Sequence, residues 1–323
     1  MRRREFATLL GGVAALPLAA RAQSVNLLRI GFLIAESPAA YANQVAGFRL
    51  GLSELGYLEG TNTIIVYRAA EGHYERLPEL ATELVRSNVD VIVTHGTPGT
   101  LAAKHATTTI PIVAAVIGDP VASGAVASVG RPGGNITGSS VFSPEVSAKR
   151  IELLREVSPR IVRVAILVNP ENPLQADVRA SESAARSLGV RLQRFPVRTS
   201  NEFGLAFDRM EQEHVEAITV LEEALFNANL DVIAARATKQ RLLSIGSKEF
   251  GERSGLIGYG ADFFALFRRA AVFVDKILKG RKPADIPIEQ ATKFEFVLNL
   301  KTAAAIGIDV PTSTLLRADK VIE

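Results

Sequence analysis

The chain has 323 residues, with 37 Lys and Arg against 34 Asp and Glu, 47% apolar residues and no cysteine. That length suits about two domains with buried cores, and the composition excludes a disordered or collagenous chain. Without cysteine there is no disulfide, thiolate metal site, cysteine nucleophile or lipidated cysteine. His73, His95, His105 and His214 are scattered and never spaced as a ligand pair on one helix face, so neither a protein-built zinc site nor a cofactor is expected.

The first 22 residues read as a secretory leader. Met1-Arg2-Arg3-Arg4-Glu5-Phe6 is a basic start, an apolar run follows from Ala7 to Leu16, and Ala20-Arg21-Ala22 is a small-x-small site for cleavage after Ala22. The run is too short for a membrane span, which needs about 20 apolar residues. Arg3-Arg4-x-Phe6 resembles the twin-arginine export motif. Removing residues 1–22 takes away four arginines and Glu5 and leaves 33 basic and 33 acidic residues, a net charge of zero. The apparent basicity belongs to the leader, and nucleic acid is not an expected partner.

Beyond the leader, apolar strands alternate with amphipathic helices. Arg29–Ile34 reads as a buried strand, Gln44–Leu55 as a helix ended by Gly56, and Thr63–Tyr67 as a strand. Glu75–Ser87 is a helix with Leu77, Leu80, Leu84 and Val85 on one face, followed by strand Val89–Thr94, helix Thr97–Ala106 and strand Ile112–Val116. Continuous Val and Ile runs suit strands covered on both faces, as in a parallel sheet built from βαβ units. A second series follows the turn cluster Arg131-Pro132-Gly133-Gly134-Asn135: helix Ser147–Val157, strand Val162–Val168, helix Leu174–Leu188, strand Val190–Val197 and helix Asn201–Glu213. Strand Ala217–Leu221, helix Asn229–Gln240 and strand Leu242–Ile245 complete it. Asp262–Lys279 is a late helix, Gly280–Pro287 a connector and Phe294–Leu300 a final strand. The expected fold is α/β, with two doubly wound Rossmann-like lobes joined by hinge strands. One lobe takes 27–140 plus about 260–285, the other 141–259 plus about 290–323.

Two such sheets facing each other place the carboxyl ends of their strands around a shared cleft, where ligands bind. His95-Gly96-Thr97-Pro98 follows a strand and opens a helix, with Thr97 as N-cap and Pro98 as first helical residue; the turn can hold a carboxylate or be only a well-capped helix start. Asp119, before Pro120, can accept from a ligand ammonium or cap the helix that Pro120 begins. Asn169-Pro170 and Glu222-Glu223 end strands of the second lobe, and the two carboxylates either bind an amine or are solvated. Tyr259 lies between Gly258 and Gly260, where the chain recrosses, as a cleft wall or a surface tyrosine. Gly133-Gly134-Asn135-Ile136-Thr137-Gly138 is not a dinucleotide fingerprint but a turn leading into a strand. There is no Gly-x-Ser-x-Gly elbow, P-loop or His-Glu-x-x-His, and nothing in the spacing assembles a nucleophile with its base.

The chain resembles the ABC-transporter substrate-binding proteins, in the group that includes the tryptophan-binding TrpX-like proteins. The matching stretches run in order from Gly47-Phe48-Arg49-x-Gly51-Leu52 and Arg76-Leu77-Pro78-x-Leu80 through Gly96-Thr97-Pro98, Gly118-Asp119-Pro120-Val121 and Arg131-Pro132-Gly133-Gly134-Asn135. They continue to Tyr259-Gly260, Val274-Asp275-Lys276-Ile277-Leu278, Asn299-Leu300-Lys301-Thr302 and Leu316-Arg317-Ala318-Asp319. The resemblance implies a type I periplasmic-binding-protein fold and a monomeric periplasmic protein that captures a small molecule and delivers it to a membrane permease. It also implies ligand contacts from Gly96, Thr97, Pro98 and Asp119 in one lobe and Asn169, Glu223 and Tyr259 in the other. Glu223-Ala224 stands where the family usually reads Asp-Pro, and an aromatic often found near Ile245 is missing, so the implied ligand widens to an amino acid or small carboxylate. The rivals are an exported two-lobe enzyme, which the absent motifs disfavour, and a ligand-sensing domain, which lacks a DNA-binding segment or membrane span.

Overall fold

The computed structural model describes residues 27–172 and 175–323. The leader, its twin-arginine motif and its cleavage site lie outside the described residues.

The first half alternates β1 (Leu28–Ile34), α1 (Ala42–Glu54), β2 (Thr63–Ala69), α2 (Leu77–Arg86), β3 (Val91–Thr94), α3 (Gly96–Ala106), β4 (Ile112–Ile117) and β5 (Ile136–Ser140). The second runs α4 (Pro144–Val157), β6 (Arg163–Val168), α5 (Gln175–Ser187), β7 (Arg191–Pro196), α6 (Phe203–Gln212), β8 (Ala217–Thr219), α7 (Ala224–Ala228), α8 (Leu230–Lys239), β9 (Leu243–Gly246), α9 (Lys248–Arg253) and β10 (Ile257–Gly260). The chain then returns through α10 (Phe263–Leu278) and β11 (Glu289–Gln290), and ends with β12 (Glu295–Asn299), α11 (Leu300–Ile306), α12 (Thr312–Leu315) and β13 (Lys320–Ile322).

These strands form two sheets, ordered β11-β5-β4-β3-β1-β2 and β13-β12-β10-β9-β8-β6-β7. Every pairing in the first is parallel. The second is parallel except where β10 meets β12. Each sheet reverses its strand order once, between β1 and β3 and between β6 and β8, and these switch points are where open α/β sheets bind ligands. β3 and β4 are buried along their whole length, as expected of apolar strands with helices on both faces. Three short segments cross between the sheets: Val141–Ser143, Ala261–Asp262 and 291–294.

The structure extends the sequence reading mainly where elements are short. α7, α9, α12, β11 and β13 have two to six residues each and carry too little periodicity to stand out. Tyr259 lies in a strand, β10, and the chain recrosses immediately after it. Thr97 is not the N-cap of α3: His95 holds that place without a side-chain cap bond, because Gly96 at φ +71° already turns the chain into the helix.

α10 comes late in the chain but packs on α1, which ties the ends of the first lobe together. The approach is close because Gly47 and Gly51, one helical turn apart, face α10. A Cβ at Gly47 would sit 2.6 Å from the Phe264 carbonyl oxygen, and one at Gly51 would meet the Arg268 carbonyl and lie 2.9 Å from the Ala271 Cβ. Gly47→Ala must therefore push two backbones apart. Urea titration should show a loss of about 1–3 kcal/mol.

Candidate functional site

The carboxyl ends of both sheets meet at one junction. From the first lobe come Ala35-Glu36 after β1, Glu71-Gly72-His73 and Tyr74 after β2, His95-Gly96-Thr97 after β3 and Asp119 after β4. From the second come Asn169 and Asn172 after β6, Arg198–Asn201 after β7 and Glu222-Glu223 after β8. Two adjoining cavities lie between these loops and share Gly72, His73 and Thr199. One of about 790 Å³ is walled by Tyr74, Pro98, Leu101, Glu171 and Arg198; the other, of about 350 Å³, by Glu36, Glu71, Asn201 and Asn229. A third, of about 280 Å³, lies within the second lobe beside Asn169, Asn172, Val178 and Phe226.

Glu223 is the centre of the junction. It is 1% exposed and accepts from the Tyr74 hydroxyl at 2.5 Å, the amides of Asn169 at 3.2 Å and Asn172 at 3.3 Å, and the Phe226 backbone N–H at 3.2 Å. Tyr74 also accepts from the Leu225 N–H at 3.2 Å, so one phenol from the first lobe joins two groups of the second. Burial raises the Glu223 pKa, and its four donors oppose the rise. Its carboxylate is therefore both the N-cap of α7 and an inter-lobe bridge, with its oxygens already engaged.

Glu222, the neighbouring carboxylate, faces the other way and pairs with Arg150. Arg150 is 2% exposed; its Nε donates to the Tyr259 carbonyl at 2.9 Å, its Nη1 to Glu222 Oε2 at 2.9 Å, and its Nη2 to Tyr259 O at 2.6 Å and to Glu222 Oε1. Tyr259 thus enters this network through its backbone, while its ring lies against Phe294 with centroids 6.2 Å apart. Asp119 Oδ1 accepts from the N–H groups of Val121 at 3.0 Å and Ala122 at 2.9 Å, which is the capping role; Pro120 opens a turn rather than a helix.

His95 is buried against Tyr41, centroids 4.2 Å apart, and Phe267, 5.8 Å apart, and its Nε2 accepts from the Ala35 N–H at 3.4 Å. Desolvation pushes its pKa down to about 3, so it adds no positive charge at neutral pH. Burial acts oppositely on the acids: Glu36, Asp177 and Glu249 are each raised to about 7. Lys248 lies at the crossing, 3.0 Å from Asp262 and 3.8 Å from Glu295, and these carboxylates hold it charged, raising its pKa above the ordinary lysine value against the desolvation that opposes it.

Of the residues the sequence singled out, Asn169 and Glu223 are brought into direct contact. Pro98 walls the largest of these cavities, Gly96 and Thr97 form the buried entry to α3, and Asp119 and Tyr259 meet the junction through a turn and a carbonyl. Sequence reasoning missed Glu36, Tyr74, Arg150 and Asn172. Glu36 carried a usable signal, since it follows β1 within two residues, at the switch point; Arg150 carried none, being one of two arginines on α4. Among the described residues, no group of three or more His, Asp and Glu is placed to hold a metal ion.

Residues 30–322 match the family described as ABC transporter substrate binding protein. The chain belongs to that family. It is 26% identical over 264 residues to a tyrosine-binding protein of Clostridioides difficile, covering 81% of this chain and 76% of that one. Among solved structures, it superposes with TM-score 0.85 on the ABC domain from Streptococcus pneumoniae in complex with L-Trp, at 26% identity, covering 92% of this chain and 100% of that one. A conserved domain protein from Vibrio cholerae gives the same score and identity over 92% of this chain and 99% of that one. The fold of this substrate-binding protein is the two-lobe α/β fold of type I periplasmic binding proteins, as the sequence resemblance implies.

The raised acids make stability depend on pH. Glu249 Oε1 accepts from the Phe263 N–H at 2.9 Å, and a glutamine can keep that bond. With its pKa raised from 4.5 to about 7, the folded state holds the Glu249 proton more tightly than the unfolded chain. Its contribution is fully present below pH 4.5 and is lost as pH rises through 7. Glu249→Gln should accordingly leave stability nearly unchanged at pH 4.5 and raise it by about 2 kcal/mol at pH 8, measured by urea titration at both pH values.

Proposed function

We propose that this substrate-binding protein is the solute-capturing component of an importer, closing its two lobes on an amino acid and presenting the closed form to a membrane permease. The bodies that close are 27–140 with about 260–285 and 141–259 with about 290–323. The observation that carries this reading is the junction itself. Strand ends from both sheets converge there, and a single phenol, Tyr74, bridges to Glu223 of the opposite lobe. A ligand that touches both sides binds the closed arrangement more tightly and shifts the equilibrium toward it.

Amino acids are the favoured ligand class because relatives sharing about a quarter of this sequence include a tyrosine-binding protein and a domain in complex with L-Trp. Gly96, Thr97, Pro98, Asn169 and Tyr259 remain the proposed contacts, with Asp119 and Glu223 shaping the cleft from behind. The leader-like start of the sequence supports a periplasmic location, and the reading takes the working protein to be a monomer. No helix among the described residues is long and apolar enough to cross a membrane.

A thermal-shift screen of the purified protein against the amino acids tests the reading. A ligand at about 100 times its dissociation constant adds roughly 2.7 kcal/mol and moves the melting midpoint by several degrees. Absence of a shift with every amino acid, together with turnover of any of them, would replace capture by catalysis. Export is tested separately: replacing Arg3 and Arg4 by Lys should leave the protein in the cytoplasm, and normal export of that double variant rules out the twin-arginine route.

A further inference from the structure

Four polar oxygens at the lobe junction are sealed from solvent and have no donor among the described residues: Glu36 Oε1, Asn172 Oδ1, Asp177 Oδ2 and Glu249 Oε2. All four are acceptors, and three belong to carboxyl groups. Buried polar atoms in folded proteins are almost always paired, so a set of unpaired acceptors marks where donors from elsewhere are expected.

Asn172 borders the smaller cavity within the second lobe, and Glu36 is the carboxylate of this set that lines a cavity between the lobes. It follows β1 at the first sheet's switch point, is 7% exposed, and walls the 350 Å³ space shared by loops of both lobes. Two features of the facing loop fit around its carboxylate. Gly72, at φ +82°, comes so near that a Cβ there would lie 3.2 Å from Glu36 Oε2. Glu71, held at φ +56°, puts a second carboxylate in the wall of the same cavity. The lining carries only one basic side chain, His73, whose ring is turned toward Glu75 at 3.1 Å. Around Glu36, then, stand two more acids, Glu71 and Glu223, with the phenols of Tyr41 and Tyr74 beyond. Nothing there is arranged to hold a metal ion.

We propose that Glu36 is the acceptor for a positively charged nitrogen of the captured solute, so that the site takes ligands bearing a protonated amine or guanidine and rejects simple carboxylates. The inference rests on the capture reading and narrows its ligand class. An ammonium supplies several donors in a compact group and can satisfy Glu36 while remaining within the field of Glu71 and Glu223. A carboxylate ligand would leave the acceptor unpaired and add like charge to it.

Protons compete for the same place. Burial first, then the charges of Glu223 and Glu71, lift the Glu36 carboxyl to about 7 in the empty cleft. A cationic ligand stabilises the ionised form, so it displaces a proton below pH 7, and affinity should strengthen from pH 5.5 to pH 8 and then level off.

The test is calorimetry and thermal shift at pH 8 on the protein and its Glu36→Gln variant. The panel contains L-tyrosine, L-tryptophan, L-lysine, tyramine and agmatine, beside the amine-free acids 3-(4-hydroxyphenyl)propionate and indole-3-propionate. Amine-bearing compounds alone should bind, and Glu36→Gln should weaken the best of them at least about tenfold. The variant should also lose the pH dependence and melt, without ligand, no lower than the parent at pH 8. Equal binding of an acid and its amino counterpart, or an unchanged dissociation constant in Glu36→Gln, overturns the inference and leaves capture standing. Failure of the parent protein to bind any compound in either class removes both.

Discussion

Burying a carboxylate between two lobes is costly unless a donor meets it, and that cost organises most of the junction of this protein. Glu223 takes four donors, one of them from the opposite lobe. Glu222 takes the buried guanidinium of Arg150. Asp119 takes two backbone N–H groups of its own turn, and Asp262 takes Lys248 and the first turn of α10. Tyr74 follows β2 of one sheet and Glu223 follows β8 of the other, so the hydrogen bond that satisfies the acid also ties the two sheets' loops together. Opening the lobes would expose Glu223 to water, which can replace the phenol, so the bridge favours closure only modestly. That balance suits the proposed capture, in which a ligand decides closure.

The wider fold places these groups with economy. Both sheets reverse order at their first strand, so the loops after β1 and β3 stand at one switch point and those after β6 and β8 at the other. Every residue that bridges or faces the junction on those loops sits within a few positions of a strand end. The three crossings between sheets are short, and the third side of the hinge is held by α9, whose Lys248 and Glu249 reach Asp262 and the Phe263 N–H at the start of α10. Arg150 links the same region to β8 and β10 by binding the carbonyls of Val220 and Tyr259. Charged hydrogen bonds as well as apolar packing therefore hold the crossings between the sheets.

The long elements were legible because their pattern is set by burial. β3 and β4 are unbroken apolar runs since helices cover both faces, and α2 shows its buried stripe at Leu77, Leu80 and Leu84. The start of α10 was readable from Asp262, which accepts from the Ala265 N–H at 2.8 Å. The junction was only half legible. Asn169 and Glu223 could be picked out because they end strands, but whether Glu223 met a ligand or the protein depended on Tyr74, which is 149 residues away in sequence. Tyr259 acts through its carbonyl, a role that any residue at that position could fill. Thr97 followed the rules for an N-cap, and the left-handed Gly96 moved the helix start ahead of it.

Unpaired acceptors on both lobes also bear on how selectivity arises. Glu36 follows β1 of the first sheet, whereas Asn172, Asp177 and Glu249 lie in segments of the second. In the empty protein near neutral pH, protons can occupy the raised carboxyls and reduce the repulsion between Glu36, Glu71 and Glu223. A ligand nitrogen does the same while also supplying hydrogen bonds, and a molecule lacking that nitrogen does neither. Sites of this kind discriminate by the cost of leaving their own polar groups unmet, which separates ligands more sharply than a missing apolar contact does. On that argument the proposed site discriminates by the charge of its solute, through groups it cannot satisfy alone.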